Sequence, residues 1–152
     1  MAEIPGMRHL AGKIDKAQAA LKAELPRALL RAGHVVAGQA QRNVSGPRPG
    51  HLGVVTNRLR SSISAVKIAP LSVKVGTNVV YAAIHEFGGE ILPKRSAFLR
   101  FKTSDGEWHA VRRVDMPARP YMRPALDKKR AEVIAIVRAV YAGPLQIGGV
   151  SG

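Results

Sequence analysis

Cysteine is absent from this chain of 152 residues. That excludes disulfides, thiolate zinc sites and cysteine nucleophiles, and it suits a cytosolic product. Aromatic residues are scarce at 5%, so a core must come from alanine, valine, leucine and isoleucine. Acidic residues are scarce as well: 10 Asp and Glu stand against 24 Lys and Arg. No run approaches the ~20 consecutive apolar residues that carry a helix across a bilayer, so no membrane partner is expected. The opening residues, Met1-Ala-Glu-Ile-Pro-Gly6, lack the basic-then-apolar order of a signal peptide.

What is present is 46% hydrophobic residues, enough for one domain over 1–152 with a real core. The net charge is +14 and the pI near 11.1. An excess of that size favours a polyanion or an acidic protein surface as neighbour. It is spread along the chain: residues 1–60 carry +7, residues 61–120 carry +4 and residues 121–152 carry +3. A basic tail would concentrate it, and there is none.

The patterning predicts helix over 7–42. Leu10, Ile14, Ala17, Leu21, Leu25, Ala28, Leu29, Ala32, Val35 and Val36 recur at helical steps and make one apolar stripe. Pro26 interrupts it, which predicts a kink or two helices meeting there. Gly33 and Gly38 weaken the second half; each is either tolerated or permits close approach of another backbone. Residues 43–57 read as a basic loop, because Asn43 to Gly50 is dense in turn formers.

Residues 58–115 read as sheet with a short helix. Two strands, Leu59 to Ile68 and Leu71 to Gly76, alternate with period two. Thr77 or Asn78 can cap a helix from Val79 to Phe87, which Gly88-Gly89 ends. Ala97–Lys102 and Trp108–Val114 flank Asp105-Gly106, a strong tight-turn signal. Residues 116–141 form a proline-stiffened connector and a last helix, with Pro124 suited to its first turn. A flexible tail over 142–152 follows. The fold class is therefore α+β: one antiparallel sheet of about four strands, packed by a long N-terminal helix, a short central helix and a C-terminal helix.

No constellation for catalysis stands out. His85-Glu86 with Ser61 or Ser62 lacks a nucleophile-elbow pattern, and helical neighbours point in different directions. His9, His34, His51, His85 and His109 show no metal-ligand spacing. No glycine-rich phosphate loop precedes a helix. The expectation is no enzyme, no metal and no cofactor.

Two segments carry most of the information. One runs Val75-Gly-Thr-Asn-Val-Val-Tyr-Ala-Ala-Ile-His-Glu-Phe-Gly-Gly89; the other runs Met116-Pro-Ala-Arg-Pro-Tyr-Met-Arg-Pro-Ala-Leu-Asp127. With Thr56-Asn-Arg-Leu-Arg-Ser-Ser-Ile63, they resemble the virion-morphogenesis or tail-completion proteins of tailed double-stranded DNA phages. Asn57 stands where that family tends to have glycine, and asparagine is the next best residue for a left-handed turn.

The resemblance implies a structural protein of the head–tail joint: a tail terminator, tail-completion or neck ring, hexameric by analogy. It implies self-assembly around the DNA channel, with connector and tail-tube proteins as neighbours. The location implied is the virion, and the host cytoplasm during assembly. Glu86, Phe87, Arg119, Tyr121 and Arg123 are then candidates for subunit contact or register. Within one chain, Glu86 would pair with Arg119 or Arg123, and Tyr81, Ile84 and Phe87 would pack on the sheet. Arg48, Arg58, Arg60, Lys94 and Arg95 are candidates to line the channel. The alternative is a basic protein that binds nucleic acid without sequence preference. Base-reading is poorly supported, since Trp108 stands alone and aromatics for stacking are few.

Overall fold

The computed structural model describes residues 7–46, 57–103 and 105–143. The candidate Arg48, most of the expected basic loop and residues 144–152 of the expected tail lie outside these residues.

The first element, α1 (Met7–Ser45), is one helix of 39 residues that runs through Pro26. At 1.5 Å per residue it is roughly 58 Å long. A proline in a helix costs about 3 kcal/mol relative to alanine, and the sequence alone suggests a break. The C-terminal helix, α4 (Met122–Ala142), supplies the reason there is none. It lies along α1 in the most extensive contact of the fold. Ala139 and Val140, near its end, line a shared pocket with Ala20, Glu24 and Arg31 of α1. α4 thus runs beside α1 past the proline.

Only the second half of the apolar stripe is buried. Ala28, Ala32, Val36, Ala37, Ala40 and Val44 face the core, whereas Leu10 and Ile14 are exposed. These small side chains let other elements come close to the axis of α1.

A left-handed residue, Asn57 (φ 57°), starts the next segment, as its side chain permits. The chain then forms a short helix, α2 (Arg58–Ser62), where a strand was expected. The hydroxyls of Ser61 and Ser62 donate to the carbonyls of Arg58 and Leu59, at 3.1 and 2.8 Å, and fold the segment on itself. Strand pairing starts after Ile63. β1 (Ser64–Ala69) and β2 (Ser72–Gly76) form an antiparallel hairpin across a tight turn, in the register Ala65 to Val75 and Lys67 to Val73. The hairpin lies on α1. Ile63 and Ala65 face inward, while Val66 and Ile68 face solvent.

The rest of the β structure departs from the expected sheet. α3 (Ala82–Phe87) is followed by β3 (Gly89–Ile91), β4 (Leu99–Lys102), β5 (Trp108–Val111) and β6 (Val114–Met116). β4 pairs with β5 as the turn at Asp105-Gly106 requires, but β6 leaves that hairpin and pairs with β3. Among the described residues there are three separate two-stranded ladders rather than one sheet of four. The cause is local: Gly88 (φ 71°) and Gly89 (φ 141°) swing the chain so that Gly89–Ile91 runs back beside Val114–Met116. Arg113 bridges Glu90 at 3.2 Å and Asp115 at 3.4 Å across this ladder, an exposed and weak pairing.

The two glycines of α1 have opposite surroundings. A Cβ at Gly33 would sit 2.7 Å from Val73 Cγ1 and 3.0 Å from Ala65 Cβ, whereas one at Gly38 meets nothing within 4 Å. Gly33 is where the β1–β2 hairpin lies on the helix; Gly38 is merely tolerated. Gly38→Ala should raise stability by about 0.5–1 kcal/mol through helix propensity. Gly33→Ala should lower it by roughly 1–2 kcal/mol, because the overpacking outweighs that gain. Chemical denaturation of both variants checks the opposite signs; equal effects would refute the packing assignment.

Candidate functional site

The two informative segments meet at the start of α4. Its first-turn N–H groups have no intrahelical partner, no acidic residue lies in that turn, and the capping position, Tyr121, makes no side-chain cap. The partner comes from α3. The Glu86 carboxylate accepts from the N–H of Tyr121 at 2.7 Å and of Met122 at 2.9 Å through Oε2. Through Oε1 it accepts from the N–H of Arg123 at 3.1 Å. Glu86 is a capping residue supplied from another element, and its negative charge faces the positive end of the α4 dipole.

Four further contacts fix this junction. The Arg119 N–H donates to the His85 carbonyl at 2.7 Å. Asn43, near the end of α1, donates through Nδ2 to the Tyr121 carbonyl at 2.9 Å. Gln39, buried, donates to Asn43 Oδ1 at 2.9 Å. Gly88 packs so tightly that a Cβ there would lie 2.8 Å from the Ala118 nitrogen. The Tyr121 side chain is buried beneath the junction. Burial first, and the Glu86 charge second, raise its hydroxyl above the ordinary 10.0. The fold therefore holds it neutral.

These facts revise the sequence expectations. Among the described residues no arginine side chain pairs with Glu86; Arg123 reaches it through its backbone N–H, and Arg119 uses its own N–H on His85. The carboxylate organises the chain it belongs to. Phe87 was expected on the sheet and is 79% exposed, and Tyr81 is exposed too, its ring edge-on to His85 at 5.8 Å. Ser62 hydrogen-bonds Thr77 at 2.6 Å, and Thr77 Oγ1 accepts from the Val79 N–H at 3.1 Å, so the capping expected of Thr77 serves the turn before α3. Gln39 and Asn43 were missed. A polar pair one helical turn apart on an otherwise apolar face is the signal that could have found them.

Beside the junction lies an open cleft of about 910 Å³. Its floor is the α1 segment around Gly33 and Val36; its walls are Val73 and Val75 of β2, Ala83 and Phe87 of α3, and Met122 and Leu126 of α4. Leu71, Phe87 and Leu126 at its rim are exposed. Glu86 and Arg123 stand at the end where α3 meets α4.

The basic candidates sit elsewhere. Arg58 and Arg60 are exposed on α2, while Lys94 and Arg95 are exposed in the bends between β3 and β4. No hydrogen bond or ion pair among the described residues joins the two pairs. No helix is long and apolar enough to cross a membrane, within the same residues.

The sequence profile of the phage virion morphogenesis family matches residues 36–140, which contain both segments, α2 to β6, the end of α1 and most of α4. An uncharacterized protein of Methanocaldococcus jannaschii is 33% identical over 84 residues. The match covers 54% of this chain and 46% of that protein, so the chain aligns with under half of its relative. No solved structure matches the chain.

Glu86→Ala leaves three N–H groups of α4 without their acceptor. It should cost about 2–3 kcal/mol of folding stability, by the size of charged hydrogen bonds and helix caps. Glu86→Gln keeps one acceptor oxygen and should cost about half as much. Thermal melts and hydrogen exchange at Tyr121, Met122 and Arg123 check this. Unchanged exchange at those amides in Glu86→Ala would show the cap to be unimportant.

Proposed function

Because the chain belongs to the phage virion morphogenesis family, we propose that it is a structural subunit of the head–tail junction, a tail-terminator, tail-completion or neck protein that assembles as a ring around the DNA channel. The observation that supports this reading is a set of large apolar side chains and an apolar cleft left open at the surface. Val80 is 96% exposed, Trp108 72% and Leu71 62%, and Leu71 borders the open apolar cleft. Surfaces of this kind mark sites of association.

A ring needs a heterologous contact, in which one patch meets a different patch on the next copy and rotation closes the circle. The cleft and exposed apolar residues outside its lining, such as Val80 and Trp108, offer two such patches. Phe87 and Arg123, both exposed at the cleft, are the contact candidates best placed to meet a neighbour. Tyr121 serves that contact from beneath, by holding the start of α4 in place. Arg58, Arg60, Lys94 and Arg95 are exposed cations suited to a lumen that passes DNA without reading it. Connector and tail-tube proteins are the neighbours on either face. The ring belongs in the virion, having formed in the host cytoplasm.

The net charge of +14 favours a second reading, a small basic protein that binds nucleic acid directly. Mass and images separate the two. Light scattering should give an assembly near 98 kDa for a hexamer, six times the chain's 16.3 kDa, and negative stain should show rings. A strictly monomeric protein that also fails to join purified heads or tails would refute the ring.

DNA affinity should be weak and indifferent to sequence. Its logarithm should fall against log salt by roughly 0.9 per phosphate contacted. Replacing Arg58, Arg60, Lys94 and Arg95 together by Gln should flatten that slope and leave rings intact. Sequence preference that survives high salt would favour the second reading.

A further inference from the structure

Residues 89–116 run from β3 to β6, and none of those described is buried. Their strands make only slight contact with α1, α4 or the β1–β2 hairpin. The core gains nothing from these side chains, so what they present is surface. The β4–β5 ladder sorts that surface by chemistry. Its register pairs Lys102 with Trp108 and Arg100 with Ala110. Opposite residues of an antiparallel pair share a face, so these four lie together, and Leu99, Phe101, His109 and Val111 lie on the other side.

The aromatic groups of the ladder differ in their company. Phe101 stacks on His109 at 5.9 Å, and Arg112 lies over the Phe98 ring at 5.7 Å. Trp108 is 72% exposed, and among the described residues no ring or guanidinium packs over it. Arg100 and Lys102 beside it are exposed and, within the same residues, form no ion pair. The acids of the segment are placed elsewhere. Arg113 bridges Glu90 and Asp115, and Asp105 accepts from the Thr103 hydroxyl and the Glu107 N–H within the turn. The Glu107 carbonyl accepts from the Thr103 N–H at 2.9 Å, so strand alternation puts Glu107 on the side away from Trp108.

We propose that this face binds single-stranded nucleic acid, with a base stacked on Trp108 and phosphates held by Arg100 and Lys102. The occupant follows from charge and shape. Two cations with no acid on their face call for an anion, and a second copy of this chain, at +14, has the wrong sign. A bare, flat indole calls for a flat partner, and an unpaired base is one; in a duplex both faces of a base are already stacked. An anionic membrane takes up a broader apolar face than one indole and one alanine. Trp108 stands alone in the sequence, and only the register gives it two cations. The inference goes beyond the ring reading and holds with or without it; Val80 and the cleft remain for subunit contact.

Trp108 is the chain's only tryptophan, so its emission reports on this face alone. A short oligothymidylate should quench that emission, whereas heparin, a polyanion without bases, and a duplex of equal length should leave it nearly unchanged. Affinities are then read from the anisotropy of an end-labelled strand. Arg100→Gln with Lys102→Gln should lower the slope of log affinity against log salt by roughly 1.4, at 0.7 per phosphate of a single strand. Trp108→Ala should weaken binding at least about fivefold with the slope unchanged, and Trp108→Phe should recover most of the loss. Thermal melts of all the variants should match the parent, since none of these side chains is buried.

Emission that ignores the oligothymidylate would overturn the proposal. So would equal quenching by heparin or duplex, which would leave charge alone at work, or a spectrum moved by phosphatidylserine vesicles instead. Light scattering of the same samples reads the ring separately. Rings with unresponsive emission would sink this inference and spare that reading, and quenching in a strictly monomeric protein would do the reverse.

Discussion

Three N–H groups at the start of α4 converge on one carboxylate, and the separations along the chain are 35 to 37 residues. A helix begins where its first donors find acceptors. Here the acceptor belongs to α3, so the position of α3 dictates where α4 begins and which way it points. α4 in turn lies along α1 and carries it past Pro26. The β3–β6 ladder closes the same loop from the other side, through Gly88 and the Ala118 backbone. The Glu86 carboxylate, with the Arg119–His85 and Asn43–Tyr121 bonds, gives the long helix, the last helix and the short central helix a common reference point. A basic chain has few acids to place, and this one stands at the positive end of a helix dipole, where it is most useful.

The same junction shapes the outer surface. With α4 held against α1 at one end and α3 at the other, a gap stays open between them and the β1–β2 hairpin. Aromatic residues would close such a gap, but the chain has few, and Phe98, Phe101 and Trp108 lie exposed at the β4–β5 hairpin. Three ladders of two strands leave several unpaired edges. As an isolated body the protein is well ordered at its junction and incomplete at its surface. That combination is what the proposed assembly role calls for.

Much of the local structure was legible in advance. The helical stripe of α1, the left-handed Asn57, the turn at Asp105-Gly106, the stop at Gly88-Gly89 and the entry of α4 after two prolines all follow from preferences that act over a few residues. The errors have the same character. Leu59 to Ser62 alternates well enough for a strand, but two serine hydroxyls turn it into helix. Trp108 to Val114 reads as one strand, but the chain changes partner after Val111. Phe87 has the composition of a core residue and lies outside the core.

By itself, then, the sequence determined the long helices at both ends, the β1–β2 and β4–β5 hairpins, the basic character and the family, because each rests on residue types and short spacings that need no partner. Only the tertiary structure decided what the chemistry-bearing residues do. Glu86 was readable as a charge awaiting an arginine. It became a helix cap because the α4 backbone, with its unpaired donors and its dipole, arrives closer than any guanidinium. Gly33 and Gly38 look alike in sequence and differ only because β2 lies on one of them. Whether a residue is contact, cap or surface depends on what the rest of the chain brings within a few ångströms, and that information is stored in no single segment.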